Sequence, residues 1–172
     1  MKVITARLDP KSIEEAIEEL QAYQKGVERN TRILVQRLTD FGVNLARVKI
    51  VSLGAFDTGE LLSAVGGYYS PILNAGFVRV ASDHAAFVEF GTGVVGQNSP
   101  HTNGEYLAKA SWGYATGQKI FTTKNGKVGW IYPTDGGDFR FTEGMPSRPF
   151  LYQTALELQS KFPGIAKEVF GT

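Results

Sequence analysis

The order of patterns along this chain implies an α+β domain: N-terminal helices, an antiparallel sheet with a long loop and hairpin insertion, and a C-terminal helix packed on the sheet. Three observations carry that reading. Apolar residues recur at helical spacing through the first 48 residues, short β-branched and aromatic runs broken by turn residues follow, and a proline-started helical stripe closes the chain. Elements grouped by type, not alternating, favour α+β over a parallel α/β sheet. The 172 residues suit one domain, divided into a helical part (1–48), an α+β core (49–93 and 143–172) and an insertion (94–142).

Asp9-Pro10 is a helix start, with Asp as cap and Pro at the first helical position. Ser12 with Glu15 offers a capping box slightly later. Ile13, Ala16, Ile17 and Leu20 continue at helical spacing, and Gly26 is expected to break or bend the chain. Val27, Thr31, Leu34, Leu38, Phe41, Leu45 and Val48 then alternate steps of four and three along a second helix, weakened by Gly42. That stripe packs either on the protein's own sheet or on a neighbouring subunit. Lys49 to Leu53 is a short β-branched segment ending at Gly54, and Thr58 to Ala64 reads as a short helix.

Phe77–Ala81 and Ala85–Phe90 read as paired strands about a tight turn at Ser82-Asp83-His84, which would set Arg79 beside Glu89. Residues 94–104 read as loop and Glu105–Ala115 as a short helix. Lys119–Thr123 and Lys127–Tyr132 flank Asn125-Gly126, a dipeptide that favours a type I′ hairpin turn. Phe139–Thr142 reads as a short strand. Pro149 opens a helix with Leu151, Ala155, Leu158 and Phe162 on one stripe, Pro163-Gly164 ends it, and Ile165–Phe170 forms a tail helix.

Composition narrows the function. Formal net charge is +1, so the basic excess of a protein that grips nucleic acid tightly is missing. Without cysteine, disulfides and thiolate metal sites are excluded. No apolar run suits a signal peptide or a membrane helix, which implies a soluble product made in a cytoplasm.

Individual motifs give little catalytic chemistry. Gly91-Thr-Gly-Val-Val-Gly96 matches the dinucleotide fingerprint literally, but Gln97 onwards is a poor helix sequence and no βαβ unit surrounds it. His84 and His101, the two histidines, read as solvent-facing or satisfied turn residues. Neither a nucleophile elbow nor a zinc-binding histidine motif is present, so no catalytic residue, metal or cofactor is expected. Glu89 is the exception to watch, a carboxylate in an apolar segment that needs a partner. Arg79 across the hairpin or Arg148 at the C-terminal helix start would serve, and Arg148, of the same chain or of a neighbouring copy, is the expected one. The aromatic residues of the insertion, Trp112, Phe121, Trp130 and Tyr132 among them, form either a mini-core or a surface for a protein partner. With Lys119, Lys124, Lys127 and Arg140 nearby they also allow stacking on single-stranded nucleic acid.

Thr58-Gly-Glu-Leu61, Glu89-Phe90-Gly91-Thr92-Gly93 and Gly144-Met145-Pro146-Ser147-Arg148-Pro149-Phe150-Leu151 follow one another in this order. In that order they resemble the tail-completion (neck, or head–tail joining) proteins of long-tailed bacteriophages. His84-Ala-Ala86 departs from that family's tyrosine-containing approach to the second motif. The resemblance implies a structural virion protein, not an enzyme. It would wait in the host cytoplasm and then assemble as a ring, sixfold on the tail side, with other copies of itself and with neighbouring neck and tail proteins. The alternatives are a tail terminator or minor tail protein and, further off, a nucleotide-binding enzyme using Gly91–Gly96.

Overall fold

A computed structural model describes residues 3–55, 59–115, 117–134 and 136–171. It has the expected α+β class. Helix α1 (Pro10–Ser52) is followed by a short helix α2 (Glu60–Ser63), strands β1 (Val65–Ser70) and β2 (Ala75–Val80), and helices α3 (Ala85–Phe90), α4 (Gly93–Asn98) and α5 (Gly104–Lys109). Strands β3 (Phe121–Thr122), β4 (Val128–Pro133), β5 (Phe139–Thr142) and β6 (Gly144–Met145) lead into helix α6 (Phe150–Phe170).

One continuous helix of 43 residues, about 65 Å long, replaces the two expected helices. Asp9 caps it by accepting a hydrogen bond from Ser12 N at 3.0 Å. Gly26 neither breaks nor ends it, because a lone glycine costs a helix only about 1 kcal/mol and the flanking residues are good helix formers. The β-branched segment 49–53 is also helical: Ile50, fully buried, completes the stripe of Leu34, Leu45 and Ala46. Val48, by contrast, is exposed, since at 3.6 residues per turn the stripe drifts away from a strict seven-residue repeat.

The first sheet pairs β1 with β2, not residues 77–81 with 85–90. Val65 lies opposite Val80, Gly67 opposite Val78 and Tyr69 opposite Gly76, and this face rests on α1. A Cβ on Gly67 would sit 2.8 Å from Thr39 Cγ2 and Val43 Cγ2, and one on Gly76 would collide with Thr39 Oγ1. These glycines therefore let a helix lie directly on a strand pair. On the outer face Tyr68 stacks on Phe77 with centroids 4.7 Å apart, and Arg79 lies over the Tyr68 ring.

Residues 85–90 form helix α3. Ala85, Val88 and Glu89 are all buried, and that i, i+3, i+4 spacing is one helical face. Helix α6 runs antiparallel along α1, tied by Lys49–Glu157 at 2.7 Å and Arg37–Glu168 at 3.6 Å. Leu158 reaches the groove beside Val78. The Lys49 hydrogen bond and charge hold the Glu157 carboxyl below its usual range. Pro163 stands inside α6 without ending it, and Gly171, with φ 68°, supplies the C-cap. The core gathers Ala46, Ile50, Ala55, Val65, Ala85, Val88 and Phe150, with Val43, Val78, Val80, Met145 and Leu151 around them.

The insertion contains the expected hairpin and a third strand, in the order β3-β4-β5. Its turn is not type I′. Gly126 has φ 78° while Asn125 is not in the positive-φ region, and Gly126 N donates to Thr123 O at 3.0 Å. This is a type I turn followed by a left-handed glycine. The stretch after Gly93, expected as loop, begins with the six-residue helix α4.

Two glycines of α1 have opposite fates. A Cβ on Gly26 meets nothing within 4 Å, whereas one on Gly42 would stand 2.8 Å from Val78 Cγ2. Gly26→Ala should raise the unfolding free energy by about 0.5–1 kcal/mol, and Gly42→Leu should lower it by about 1–3 kcal/mol, both read from urea denaturation.

Candidate functional site

The N-terminus of α6 poses a physical problem that the rest of the site solves. A helix begins with backbone N–H groups that have no intrahelical acceptor. Pro149 occupies the cap position and has no side-chain acceptor to offer. Phe150 N donates to Arg148 O at 2.8 Å, and Gln153 N donates to Pro149 O at 3.0 Å. Leu151 N and Tyr152 N donate to the two oxygens of Glu89, Oε2 and Oε1, each at 2.9 Å. A carboxylate some sixty residues earlier in the chain therefore caps the helix, where the helix dipole also favours negative charge.

The contacts extend along both sequence motifs. Ser147 Oγ donates to Glu89 O at 2.6 Å, Arg148 N donates to Val88 O at 2.8 Å, and Met145 N donates to Thr92 Oγ1 at 3.1 Å. Thr92 bridges Met145 and Gly93 bridges Gly144 as short antiparallel contacts. The backbones approach so closely that a Cβ on Gly91 would lie 2.7 Å from Ser147 N, and one on Gly144 would collide with Thr92 O. Both glycines also have positive φ, 79° and 107°, so no side chain fits there on either count. Residues 89–93 and 144–151 thus form one interlocked unit. Phe90 is half-buried against His101, Tyr106 and Trp112, Phe150 is fully buried, and Pro146 and Pro149 flank the turn into α6.

Within the chain, neither expected arginine partners Glu89. Arg79 belongs to the outer face of β2, and Arg148 engages the junction through its backbone N–H. The hairpin that would have brought Arg79 close does not exist, because residues 85–90 are helical. The charged-group neighbour is His101 instead. It is not a solvent-facing loop residue: it is 4% exposed, with Nε2 3.5 Å from Glu89 Oε1. Its Nδ1 lies 3.0 Å from Asn103 N and 3.3 Å from Asn103 O, which holds the ring with Nε2 facing the carboxylate. At that length the contact is electrostatic and not a well-formed hydrogen bond. His84 is exposed in the turn before α3.

Aromatic rings roof this pair. Phe90, Tyr106 and Tyr152 stand 5.2–5.7 Å from the His101 ring, and Trp112 packs on Phe87 and Phe90. Burial under this roof pushes the Glu89 carboxyl above its ordinary value, while the Leu151 and Tyr152 amides and His101 pull in the other direction.

The four aromatic residues proposed for partner contact divide. Trp112 donates from Nε1 to Gly91 O at 2.8 Å, and Trp130 is buried against Gly93; both serve the fold. Phe121 and Tyr132 are 37% and 40% exposed. They share the insertion sheet with exposed Ile131 and Phe139. Sequence reasoning missed Ile72 and Leu73, which stand out at the tip of the β1–β2 hairpin. An apolar pair inside a Pro-Ile-Leu-Asn turn was the available signal. Thr58, the first residue of the Thr58-Gly-Glu-Leu61 motif, lies outside the described residues.

The Gly91–Gly96 turn does open a helix, α4, but three of its amides are committed. Gly91 N donates to Phe87 O, Gly93 N to Tyr114 O and Val95 N to Glu143 O, at 2.8–3.2 Å. A phosphate cradle needs those N–H groups free. Among the described residues no group of three or more His, Asp or Glu side chains could hold a metal ion, and no helix is long and apolar enough to cross a membrane.

Comparison of the chain with protein-family models, curated proteins and solved structures gives no match.

Removing the cap tests the junction. Glu89→Ala should lower the unfolding free energy by about 3 kcal/mol, because two buried amides lose a charged acceptor. Glu89→Gln should cost less, since its amide oxygen still accepts. A carboxyl whose folded pKa is raised stabilises the fold below its unfolded value and loses that contribution as pH rises through the folded value. The stability of the natural protein relative to Glu89→Gln should therefore fall as pH increases from about 4.5. Denaturant titrations of both proteins across that range check the sign.

Proposed function

We propose that this chain is a structural virion protein of the phage neck, which joins or completes the tail at the head–tail interface by assembling as a ring. The observation that carries the reading is the interlock of the two segments on which the family resemblance rests, Glu89–Gly93 and Gly144–Leu151. The buried carboxylate of the first segment holds a helix of the second. Such a unit positions surfaces, and its polar groups are consumed in doing so.

A cyclic ring needs two different complementary patches on each subunit. Two features suit that need. The insertion sheet has free edges on β3 and β5, with Phe121, Tyr132 and Phe139 exposed, and the β1–β2 hairpin presents Ile72 and Leu73. Strand edges and aromatic side chains are effective recognition elements. The ring is a hexamer on the particle, in contact with neighbouring neck and tail proteins. A nearly neutral net charge of +1 fits protein contacts better than tight DNA binding.

Electron microscopy of particles made with and without the protein tests this. Without it, unjoined heads and incomplete tails should accumulate. The double variant Phe121→Glu, Tyr132→Glu should fold, since both residues are exposed, yet fail to restore joining. Normal joining by that variant would remove the insertion from the interface, and normal particles in the protein's absence would remove the function.

A further inference from the structure

The N-terminal half of α1 carries an apolar stripe that nothing among the described residues buries. Helix α6 ends at Phe170, just past the Arg37–Glu168 ion pair, and no residue of α1 before Leu34 is buried. Residues 10–33 therefore project about 36 Å beyond the helix pair. Ile13, Ile17, Leu20 and Val27 lie on that projection, 38–53% exposed. They continue the same alternation of three and four that α1 uses to bind α6 farther along. A helix of this length gains little stability from propensity alone and depends on packing of its apolar face.

The charges along the projection select the occupant. Residues 10–20 hold Glu14, Glu15, Glu18 and Glu19 against Lys11, a net charge of −3. Residues 21–33 hold Lys25, Arg29 and Arg32 against Glu28, a net charge of +2. A second copy laid antiparallel sets each acidic half against a basic half. A parallel copy would set acidic on acidic and basic on basic. Antiparallel pairing about residue 22 also puts Ile17 opposite Val27, while Ile13 meets Thr31 and Leu20 meets Gln24. We infer that residues 10–33 of α1 form an antiparallel two-helix contact with the same segment of a second copy, an isologous interface that closes on itself. The segment lies outside the motif junction and outside residues 94–142, so the inference stands whether or not the chain is a virion part.

Analytical ultracentrifugation of the full chain tests it. At about 100 µM and low salt the protein should sediment as a dimer that weakens as salt rises. Leu20→Glu should abolish the dimer while leaving the fold intact, since Leu20 is exposed. Changing the four glutamates to lysine should also give monomer. Adding Lys25→Glu, Arg29→Glu and Arg32→Glu to that variant should restore the dimer, because the complementarity returns with signs exchanged. The chain has no cysteine, so a spin label on Lys11→Cys is unique. Two labels should lie about 35 Å apart in the antiparallel dimer, against about 20 Å or less in a parallel one. A protein that stays monomeric, an oligomer unchanged by Leu20→Glu, or the short label distance would each overturn the inference.

Discussion

A helix that begins with proline at its cap cannot cap itself, and the architecture of this protein answers that constraint. The carboxylate of Glu89 reaches α6 from a segment some sixty residues away and takes the Leu151 and Tyr152 amides. Satisfying those donors fixes α3 against the start of α6, which seats Phe150, fully buried, among Ala46, Ile50 and Val88. It also sets the register in which α6 returns along α1. The same closure brings Gly91 and Gly144 to distances that only glycine permits. Burying a carboxyl is costly, and the aromatic roof of Phe90, Tyr106, Trp112 and Tyr152 raises that cost. Two amides at a helix N-terminus and the facing His101 offset it.

Much of the fold was legible in the residues. The Asp9-Pro10 start, the stripe through Leu34 and Leu45, the hairpin about Asn125-Gly126 and the entry into α6 at Pro149 all follow from local chemistry. The failures share a physical cause, which is tertiary packing that overrides local signals. Val65-Gly-Gly-Tyr-Tyr-Ser70 hides a strand, because Gly67 serves the approach of Thr39 and Val43 and not a turn. Ala85-Ala-Phe-Val-Glu-Phe90 looks like a strand by composition, yet its buried positions are spaced for a helix. Gly26 and Pro163 resemble breaks, but a lone glycine or a lone proline can be carried by a long helix that gains elsewhere.

The candidate site was half legible. Both motifs stood out as segments, and Glu89 stood out as a charge needing a partner. The partner could not be read, because a backbone amide leaves no trace in the sequence, whereas an arginine does. His101 was hidden for a similar reason: a histidine in a polar loop shows nothing of the aromatic roof that folds over it. The division between rigid and projecting parts also emerges only in three dimensions. Polar groups of the junction are spent on each other, while Ile72, Phe121, Phe139 and the first half of α1 extend apolar surface outward.

Native-state hydrogen exchange at Leu151 and Tyr152 reports on the cap directly. First-turn amides of a helix normally exchange fast, because they lack intrahelical acceptors. If Glu89 holds them, both should be protected to the level of the interior of α6, and Glu89→Ala should release these two before the rest of the helix. Exchange of Leu151 and Tyr152 in the natural protein at the rate of exposed amides would contradict the cap and, with it, the interlock of the two motifs.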